Sequence, residues 1–240
     1  MSARYYFLLT SLPALPEMGE PAPLSLAELR AAAVDEPSAI GLVDAVLLAS
    51  DLMAREAALA GKREEFTPAV LTRGQIAGEE PLPPELQVQP ERKPRIAADT
   101  TWEAYFRYVL RQGRACGCRF LTAWVGFEAA LRNAIVTHRA KTLGLDAVEY
   151  FVAPDLADPE ANVEDLVAAW SAAGDPLAAL RALDEGRWRW VTENEQYFSF
   201  AIDELAGYAR KLVLITRWDL LSERRAEPSA PGARRAGAEP

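Results

Sequence analysis

The chain has 240 residues, of which half are hydrophobic and a quarter are charged, and its formal net charge is −9. That length is enough for one or two domains with a sizeable buried core. The negative charge argues against a nucleic-acid-binding protein and against adsorption to an anionic membrane surface, because both normally need a basic face.

The cysteine content and the N-terminal sequence indicate where the protein works. Two cysteines are too few for a disulfide-rich secreted protein, which favours a reducing compartment. The apolar run from Tyr5 to Leu9 is too short for the hydrophobic region of a signal peptide. We see no uninterrupted apolar stretch of the roughly 18–20 residues that span a bilayer. We therefore predict a cytoplasmic protein without direct membrane insertion.

The first part of the chain, residues 1–65, is predicted to be a helical segment. Its opening sequence YYFLLTSL shows the strongest strand-like alternation that we find in the chain. Ser25 and Glu28 have the spacing of a capping box, in which each side chain bonds a free backbone N–H of the other residue, so a short helix follows them. A longer helix is predicted over residues 38–61.

A proline-rich segment separates this part from the rest of the chain. Residues 66–98 include EEPLPPELQVQPERKPR, which is rich in proline and charge and poor in apolar residues. Such a composition is typical of a long loop or linker. The main helical domain is predicted over residues 99–223.

The strongest periodic pattern lies at the start of this domain. Apolar side chains recur every three or four residues from Trp102 to His138, which is the period of an α-helix. An uninterrupted helix over residues 100–142 would be about 60 Å long at ~1.5 Å per residue. The two glycines of GRACGC, residues 113–118, each cost about 1 kcal/mol relative to alanine. The sequence therefore leaves open whether this helix is continuous, kinked or broken there.

Local signals mark the ends of the remaining helices. A capping box is predicted over residues 100–103 and another over 192–195, and the Leu143–Gly144 pair predicts a helix end in the left-handed conformation. Asp175 before Pro176 predicts a further helix start. The last long helix is predicted over residues 200–223, with a broad apolar face.

These elements together predict an all-α protein. We expect one or more helical bundles with one very long or kinked helix at about 100–142 and a long C-terminal helix. The tail over residues 224–240 has no apolar periodicity and is predicted to be disordered.

No catalytic motif is found in the sequence. The phosphate loop GxxxxGK[ST], the dinucleotide motif GxGxxG, the zinc-protease motif HExxH and the hydrolase motif GxSxG are all absent. Cys116 and Cys118 supply only two thiolates, whereas structural zinc needs four ligands. His138, the only histidine, falls on the predicted apolar face, where a hydrogen-bonded core residue is more common than a catalyst. We predict no catalytic, cofactor-binding or metal-binding residue.

One helical stretch has the character of a contact surface. Glu128 and Arg132 are four residues apart and can pair on a helix surface, while Arg132 and Arg139 lie on one stripe. The segment GRWRWVTENEQYFSF adds a dense set of aromatic residues. Aromatic residues and arginine are typical of protein interfaces, although a solvated helix face and aromatic core residues explain each of them singly. The predicted interface residues are Arg132, Arg139, Glu128, Asn133, Trp188 and Trp190.

Four stretches of the chain resemble a known family. They are YYFLLTSLPAL with PLSLAEL, then FEAALRNAIVTHRAKTLGLD, then YFSFAIDELAGYARKL, and its continuation VLITRWDLL. Together they resemble a short bacterial family encoded beside the genes of V/A-type rotary ATPases. That family is in turn similar to the C subunit of those ATPases, called d in eukaryotes. None of the four stretches is a catalytic signature.

The resemblance implies a non-enzymatic helical part of an ion pump. The C subunit sits on the membrane rotor ring and receives the foot of the central shaft, coupling rotation to proton or sodium movement. The implied partners are therefore the shaft and ring subunits, with no nucleic acid, and the implied location is cytoplasmic and peripheral at the inner membrane through the complex. The chain is shorter than that subunit and shows no clear internal repeat, which leaves an accessory or assembly factor open.

Two other interpretations of the residues stay open. One is a helical enzyme with a site around His138, Arg132 and Glu128, which requires these three polar groups to converge on a pocket. The other is a general helical adaptor unrelated to ATPases.

Overall fold

All regular secondary structure in the part of the chain that the structure describes is helical, apart from one isolated β-bridge. A computed structural model describes residues 5–62, 66–88 and 95–226. Within these ranges there are nine α-helices, three short 3₁₀ turns and no β-strand, which confirms the predicted all-α class. The helices are α1 (Tyr6–Ser11), α2 (Leu26–Ala32), α3 (Pro37–Leu59), α4 (Arg73–Ala77), α5 (Ala97–Cys116), α6 (Arg119–Leu143), α7 (Glu164–Ala172), α8 (Pro176–Asn194) and α9 (Ile202–Ala226).

Parts of three predicted segments lie outside the described residues. These are residues 1–4 and 63–65 of the N-terminal segment, residues 89–94 of the proline-rich segment and residues 227–240 of the tail. The long C-terminal helix predicted over 200–223 is confirmed as α9.

The predicted helix over 100–142 is broken within GRACGC. Helix α5 ends at Cys116, and Gly117 takes the left-handed conformation at φ 71°. The Cys118 sulfur then begins α6 by accepting a hydrogen bond from the Leu121 N–H at 3.4 Å. A Cβ on Gly113 would lie 3.1 Å from the Thr122 hydroxyl, so this glycine allows α5 and α6 to cross closely. Gly113 and Gly117 thus allow the segment with one continuous helical period to form two helices that pack as a tight antiparallel pair.

Several local signals are confirmed. The Ser25 hydroxyl accepts from the Glu28 N–H while the Glu28 carboxylate accepts from the Ser25 N–H, so the capping box of α2 is complete. The Asp175 carboxylate caps α8, and Gly144 ends α6 at φ 67°. Each of these signals depends on residues within one turn of each other, which is why the sequence shows them.

The two other predicted capping boxes are wrong. Helix α5 begins at Ala97, so residues 100–103 lie inside it, and helix α8 continues to Asn194 through most of 192–195. The Glu103 carboxylate pairs instead with Arg107 four residues further along α5, and the Glu195 carboxylate pairs with Lys211 on α9. A complete capping box over residues 72–75, with the sequence TRGQ, begins α4. This sequence also has the residue spacing that is typical of a capping box.

Helix α3 lies at the centre of the core. It packs against α9, α5, α4 and α2, and ten of its residues are buried. Among the described helices, α3 is the one that is long and apolar enough to cross a membrane. This property was not anticipated from the sequence. More than half of that stretch is buried inside the protein. Helix α3 therefore packs as the core helix of this fold.

The proline-rich segment is anchored to the same core over its described part. It contains α4 and a 3₁₀ turn over residues 84–86, and its buried apolar residues are Leu71, Ile76, Leu82 and Leu86. The fully buried carboxylate of Asp51 on α3 accepts the N–H groups of Ala69, Val70 and Leu71 at 3.0, 2.7 and 2.7 Å. This one side chain fastens the start of the segment to α3.

We expect replacement of Asp51 by alanine to lower the free energy of unfolding by about 2–4 kcal/mol, because it leaves three inward-facing N–H groups without an acceptor. Urea unfolding followed by circular dichroism measures this loss. The exposed Asp35→Ala variant is the control, with an expected change within about 0.5 kcal/mol. Equal stability of the two variants would show that Asp51 does not hold the segment.

Candidate functional site

The six predicted contact residues lie on α6 and α8, in different environments. Glu128, Arg132, Asn133 and Arg139 are on α6, and Trp188 and Trp190 are on α8. Arg139 is exposed, Asn133 is buried, and the other four are half-buried. The structure therefore does not bring the six together on one exposed surface.

The predicted ion pair between Glu128 and Arg132 is wrong, because each residue has a partner on another helix. Glu128 accepts two hydrogen bonds from the Arg187 guanidinium, at 2.6 and 3.1 Å. Arg132 donates to Asp99 at 2.7 Å and lies over the Trp102 ring. Burial alone would raise the pKa of Glu128, but the Arg187 charge, the hydrogen bonds from Arg187 and the Arg210 charge together hold that pKa below its usual value. A two-point contact between helices is stronger than a pair along one exposed helix surface.

Asn133 and Trp190 make contacts inside the protein. The Asn133 amide donates to the Val152 carbonyl at 3.1 Å and accepts from the Val152 N–H at 2.9 Å, which fixes the following loop against α6. The Trp190 ring stacks on Phe127 with centroids 5.2 Å apart and packs edge-on against Trp124. Trp188 lies beside the Lys211 ammonium, 4.9 Å from the ring centroid.

The prediction that His138 lies on the buried face is wrong. His138 is exposed, and its ring meets the Trp170 ring edge-on at 5.7 Å. The neighbouring Arg139 guanidinium lies over the same Trp170 ring at 5.3 Å. The apolar stripe of α6 is fully buried only as far as Leu131, since the last turns of this helix extend beyond the core.

A buried charged network joins α6, α8 and α9. The Asp184 carboxylate is fully buried and accepts hydrogen bonds from Arg187 at 3.0 Å, from Arg217 at 2.8 and 2.9 Å and from the Trp218 indole at 3.1 Å. Because Arg187 also binds Glu128, the two carboxylates and two arginines form one connected group. Every charge in this group has a partner of opposite sign.

Arg210 is the exception beside this network. Its side chain is only 5% exposed, and its guanidinium carbon lies 4.2 Å from the centroid of the Trp124 ring. Its Nε is buried without a hydrogen-bond partner, and no ion pair joins it to another described residue. Burial lowers the pKa of this guanidinium.

The same arginines line a cavity of about 600 Å³ between α3, α5, α6, α8 and α9. This volume is within the range of about 300–1,000 Å³ that is usual for small-molecule sites. Five arginines and three carboxylates contribute to its wall together with apolar and aromatic side chains. Glu128 and Arg132 line this cavity and His138 does not, so the three polar groups of the enzyme interpretation do not converge there. The charged residues of the wall are Glu56, Asp99, Glu128, Arg132, Arg139, Arg187, Arg210 and Arg217.

A second feature is an exposed aromatic patch, which we define as Tyr6, Phe7, Tyr197 and Phe198. Phe7 is 85% exposed and Phe198 is 84% exposed, although large aromatic side chains are usually buried. The Tyr6 ring packs on Phe200, with centroids 4.8 Å apart, and so joins α1 to the loop between α8 and α9. This contact places α1 next to the loop that carries Tyr197 and Phe198.

The loop that carries Phe198 has a strained backbone. Phe198 and Phe200 have positive φ angles of 55° and 50°, which bulky residues rarely adopt, at a cost of about 1–3 kcal/mol each. The Glu204 carboxylate on α9 accepts the N–H groups of both residues, at 3.1 and 2.7 Å, and the hydroxyl of Ser199 at 3.1 Å. Glu204 thus holds the loop in the conformation that presents Phe198 to solvent.

The two cysteines are free thiols at the turn between α5 and α6. The neighbouring Cys118 side chain lowers the pKa of the Cys116 thiol to about 7, and the Cys116 side chain together with burial raises the pKa of the Cys118 thiol. Within the described ranges, no group of three or more His, Cys, Asp or Glu side chains is arranged to hold a metal ion.

Sequence reasoning missed most of this geometry. Arg210 and Arg217 are seven residues apart on α9, which is the spacing that placed Arg132 and Arg139 on one predicted stripe. Tyr6, Phe7 and Phe198 belong to stretches quoted for the resemblance, but their exposure depends on the fold. No sequence spacing indicates the pairing of Glu128 with Arg187.

We expect Glu128→Gln to lower the free energy of unfolding by about 2–4 kcal/mol, because it removes one charge from a largely buried pair. The control is Glu185→Gln, which removes one charge from the exposed Arg181–Glu185 pair and is expected to cost no more than about 0.5 kcal/mol. Guanidinium chloride unfolding followed by tryptophan fluorescence compares the two variants. Equal losses would contradict a structural role for the buried network.

Comparison with known proteins identifies a family that matches more than half of this chain. Residues 89–229 match a family described as "Protein of unknown function (DUF2764)". This range includes α5 to α9, and with them the buried network, the loop with Phe198 and most of the cavity wall. No curated protein and no solved structure matches significantly. Since the match covers more than half of its residues, the chain belongs to the DUF2764 family.

Proposed function

We propose that the protein is a non-enzymatic helical subunit or accessory of a V/A-type rotary ATPase that acts by protein–protein contact, as its resemblance to the C (d) subunit implies. Its partners would be the central shaft and the membrane rotor ring, which places it in the cytoplasm at the inner membrane. The observation that carries the proposal is the exposed aromatic patch. Two of the stretches that carry the resemblance, YYFLLTSLPAL and YFSFAIDELAGYARKL, contribute its four residues.

The patch has the properties of an interface core. Aromatic side chains are enriched at protein interfaces and account for much of their binding free energy. Glu204 fixes the backbone beneath Phe198 and Phe200, so little conformational freedom is lost when a partner binds. Strained residues of this kind are concentrated at functional sites.

Arg139 is a second candidate contact. It is the one residue of the six predicted for the interface that is exposed, and it lies against the Trp170 ring in a fixed position. An exposed arginine next to an aromatic ring can bind a carboxylate of a partner without leaving a buried charge unpaired.

Affinity purification from the native organism tests the association. We expect the tagged chain to bring down shaft or ring subunits of the ATPase, identified by mass spectrometry. A Phe7→Ser/Phe198→Ser double variant should recover at least about tenfold less of them, because it removes the apolar core of the contact. The control is Val34→Ser, which changes an exposed apolar residue outside the patch and should leave recovery unchanged.

Two outcomes would contradict the proposal. Recovery of other proteins without any ATPase subunit would favour a general helical adaptor. Equal recovery by the patch variant and the control would show that the aromatic patch is not the contact surface.

We expect charge reversal at Arg139, as Arg139→Glu, to weaken partner binding several-fold while the helix content measured by circular dichroism stays the same. Arg111→Glu, at an exposed position of α5, serves as the control. If the melting temperature of Arg139→Glu falls along with its binding, the role of Arg139 is structural.

A further inference from the structure

The cavity wall contains one buried positive charge more than the nearby carboxylates balance. Arg187, Arg210 and Arg217 meet Glu128 and Asp184, and both carboxylates are already bound to Arg187 or Arg217. Glu128, Arg187, Arg210 and Arg217 all line the same cavity wall. Arginine keeps its charge in proteins, and a buried charge without a partner is strongly destabilising. The local balance favours a ligand with a single negative charge.

The position of Arg210 suits a carboxylate. Its guanidinium lines the cavity and is held at one side by the Trp124 ring, while no described residue accepts a hydrogen bond from it. A guanidinium binds a carboxylate through two parallel hydrogen bonds, and such bonds are strong in a site that excludes water. Arg132 does not compete for this role, because Asp99 already binds it.

The rest of the wall suits an apolar body. Aliphatic and aromatic side chains from α3, α5, α6 and α8 line the same cavity, among them Met53, Trp102, Phe106, Ile135, Leu180 and Leu183. Ile96, Leu143 and Leu145 also line the cavity, and all three are exposed. An apolar chain that entered between these three residues would stay in contact with apolar surface along its length.

We propose that this cavity binds an amphipathic monocarboxylate, with its carboxylate on Arg210 and its apolar body directed toward Ile96, Leu143 and Leu145. The cavity is separate from the aromatic patch and the inference does not depend on ATPase association. A ligand held there would contact five helices at once and would stabilise their packing.

Isothermal titration of the full chain with three ten-carbon probes tests the head-group requirement. Decanoate, decan-1-ol and decyltrimethylammonium share a tail and differ in charge, and each is used below the concentration at which it self-associates. We expect one decanoate per chain, bound at least about tenfold more tightly than the neutral or cationic probe. Similar affinities for all three would overturn the proposal, because the tail alone would then account for binding.

A variant at Arg210 tests the assigned residue. Arg210→Met keeps the length and apolar packing of the side chain, and we expect it to bind decanoate at least about tenfold more weakly while remaining folded. Arg111→Met, at an exposed position on α5 outside the cavity wall, should bind decanoate like the unchanged protein. Unchanged decanoate affinity in Arg210→Met would overturn the assignment.

Two further probes keep the test decisive. Decyl phosphate carries a second negative charge, and tighter binding of it than of decanoate would contradict the single-charge assignment. 2-Naphthoate distinguishes an aromatic from an aliphatic body, and preference for either carboxylate supports the site.

If Arg210→Met does not fold, Arg210→Lys keeps the charge without the two-point geometry and is expected to give an intermediate loss of decanoate affinity.

Discussion

The fold of this protein depends on a carboxylate that is entirely removed from solvent. Asp184 on α8 is fully buried and accepts hydrogen bonds from both Arg187 and Arg217. These bonds connect α8 with α9 and, through Arg187 and Glu128, with α6. Such a network is destabilising unless every charge is satisfied, so it restricts how the three helices can pack. Those restrictions determine where Arg210 and the cavity lie.

The two candidate functional features are built in different ways. The cavity is a consequence of how five helices surround the charged network, and its residues come from distant parts of the chain. The aromatic patch is formed where α1 meets the loop before α9, and it depends on Glu204 to hold strained residues in place. We propose a small ligand for the cavity and a protein partner for the patch, and the four patch residues are not part of the cavity wall.

The sequence predicted well what local interactions decide. The all-α class follows from the helical period of the apolar residues, and the caps at Ser25, Asp175 and Gly144 involve neighbours within one turn. From the sequence, the break at Gly117 was one of three alternatives, beside a continuous and a kinked helix. The free-energy cost of a glycine inside a helix does not decide between a kink and a turn.

The sequence failed where long-range contacts decide the outcome. Glu128 pairs with Arg187, 59 positions away, and not with the neighbouring Arg132. His138 is exposed because the end of α6 extends beyond the core, although the helical period of apolar residues continues to that position. Of the six predicted contact residues only Arg139 is exposed, so the sequence did not identify one exposed surface. The unpaired charge of Arg210 and the exposure of Phe198 become visible only in three dimensions.

Site-specific photo-crosslinking in the native organism tests the central claim most directly. A photoreactive phenylalanine at position 198 would lie in the aromatic patch, and the same group at position 34 would lie at an exposed apolar position outside it. We expect the probe at 198 to crosslink to a shaft or rotor-ring subunit of the V/A-type ATPase and the probe at 34 not to do so. Crosslinks from position 198 only to unrelated proteins, or equal crosslinking from both positions, would contradict the account.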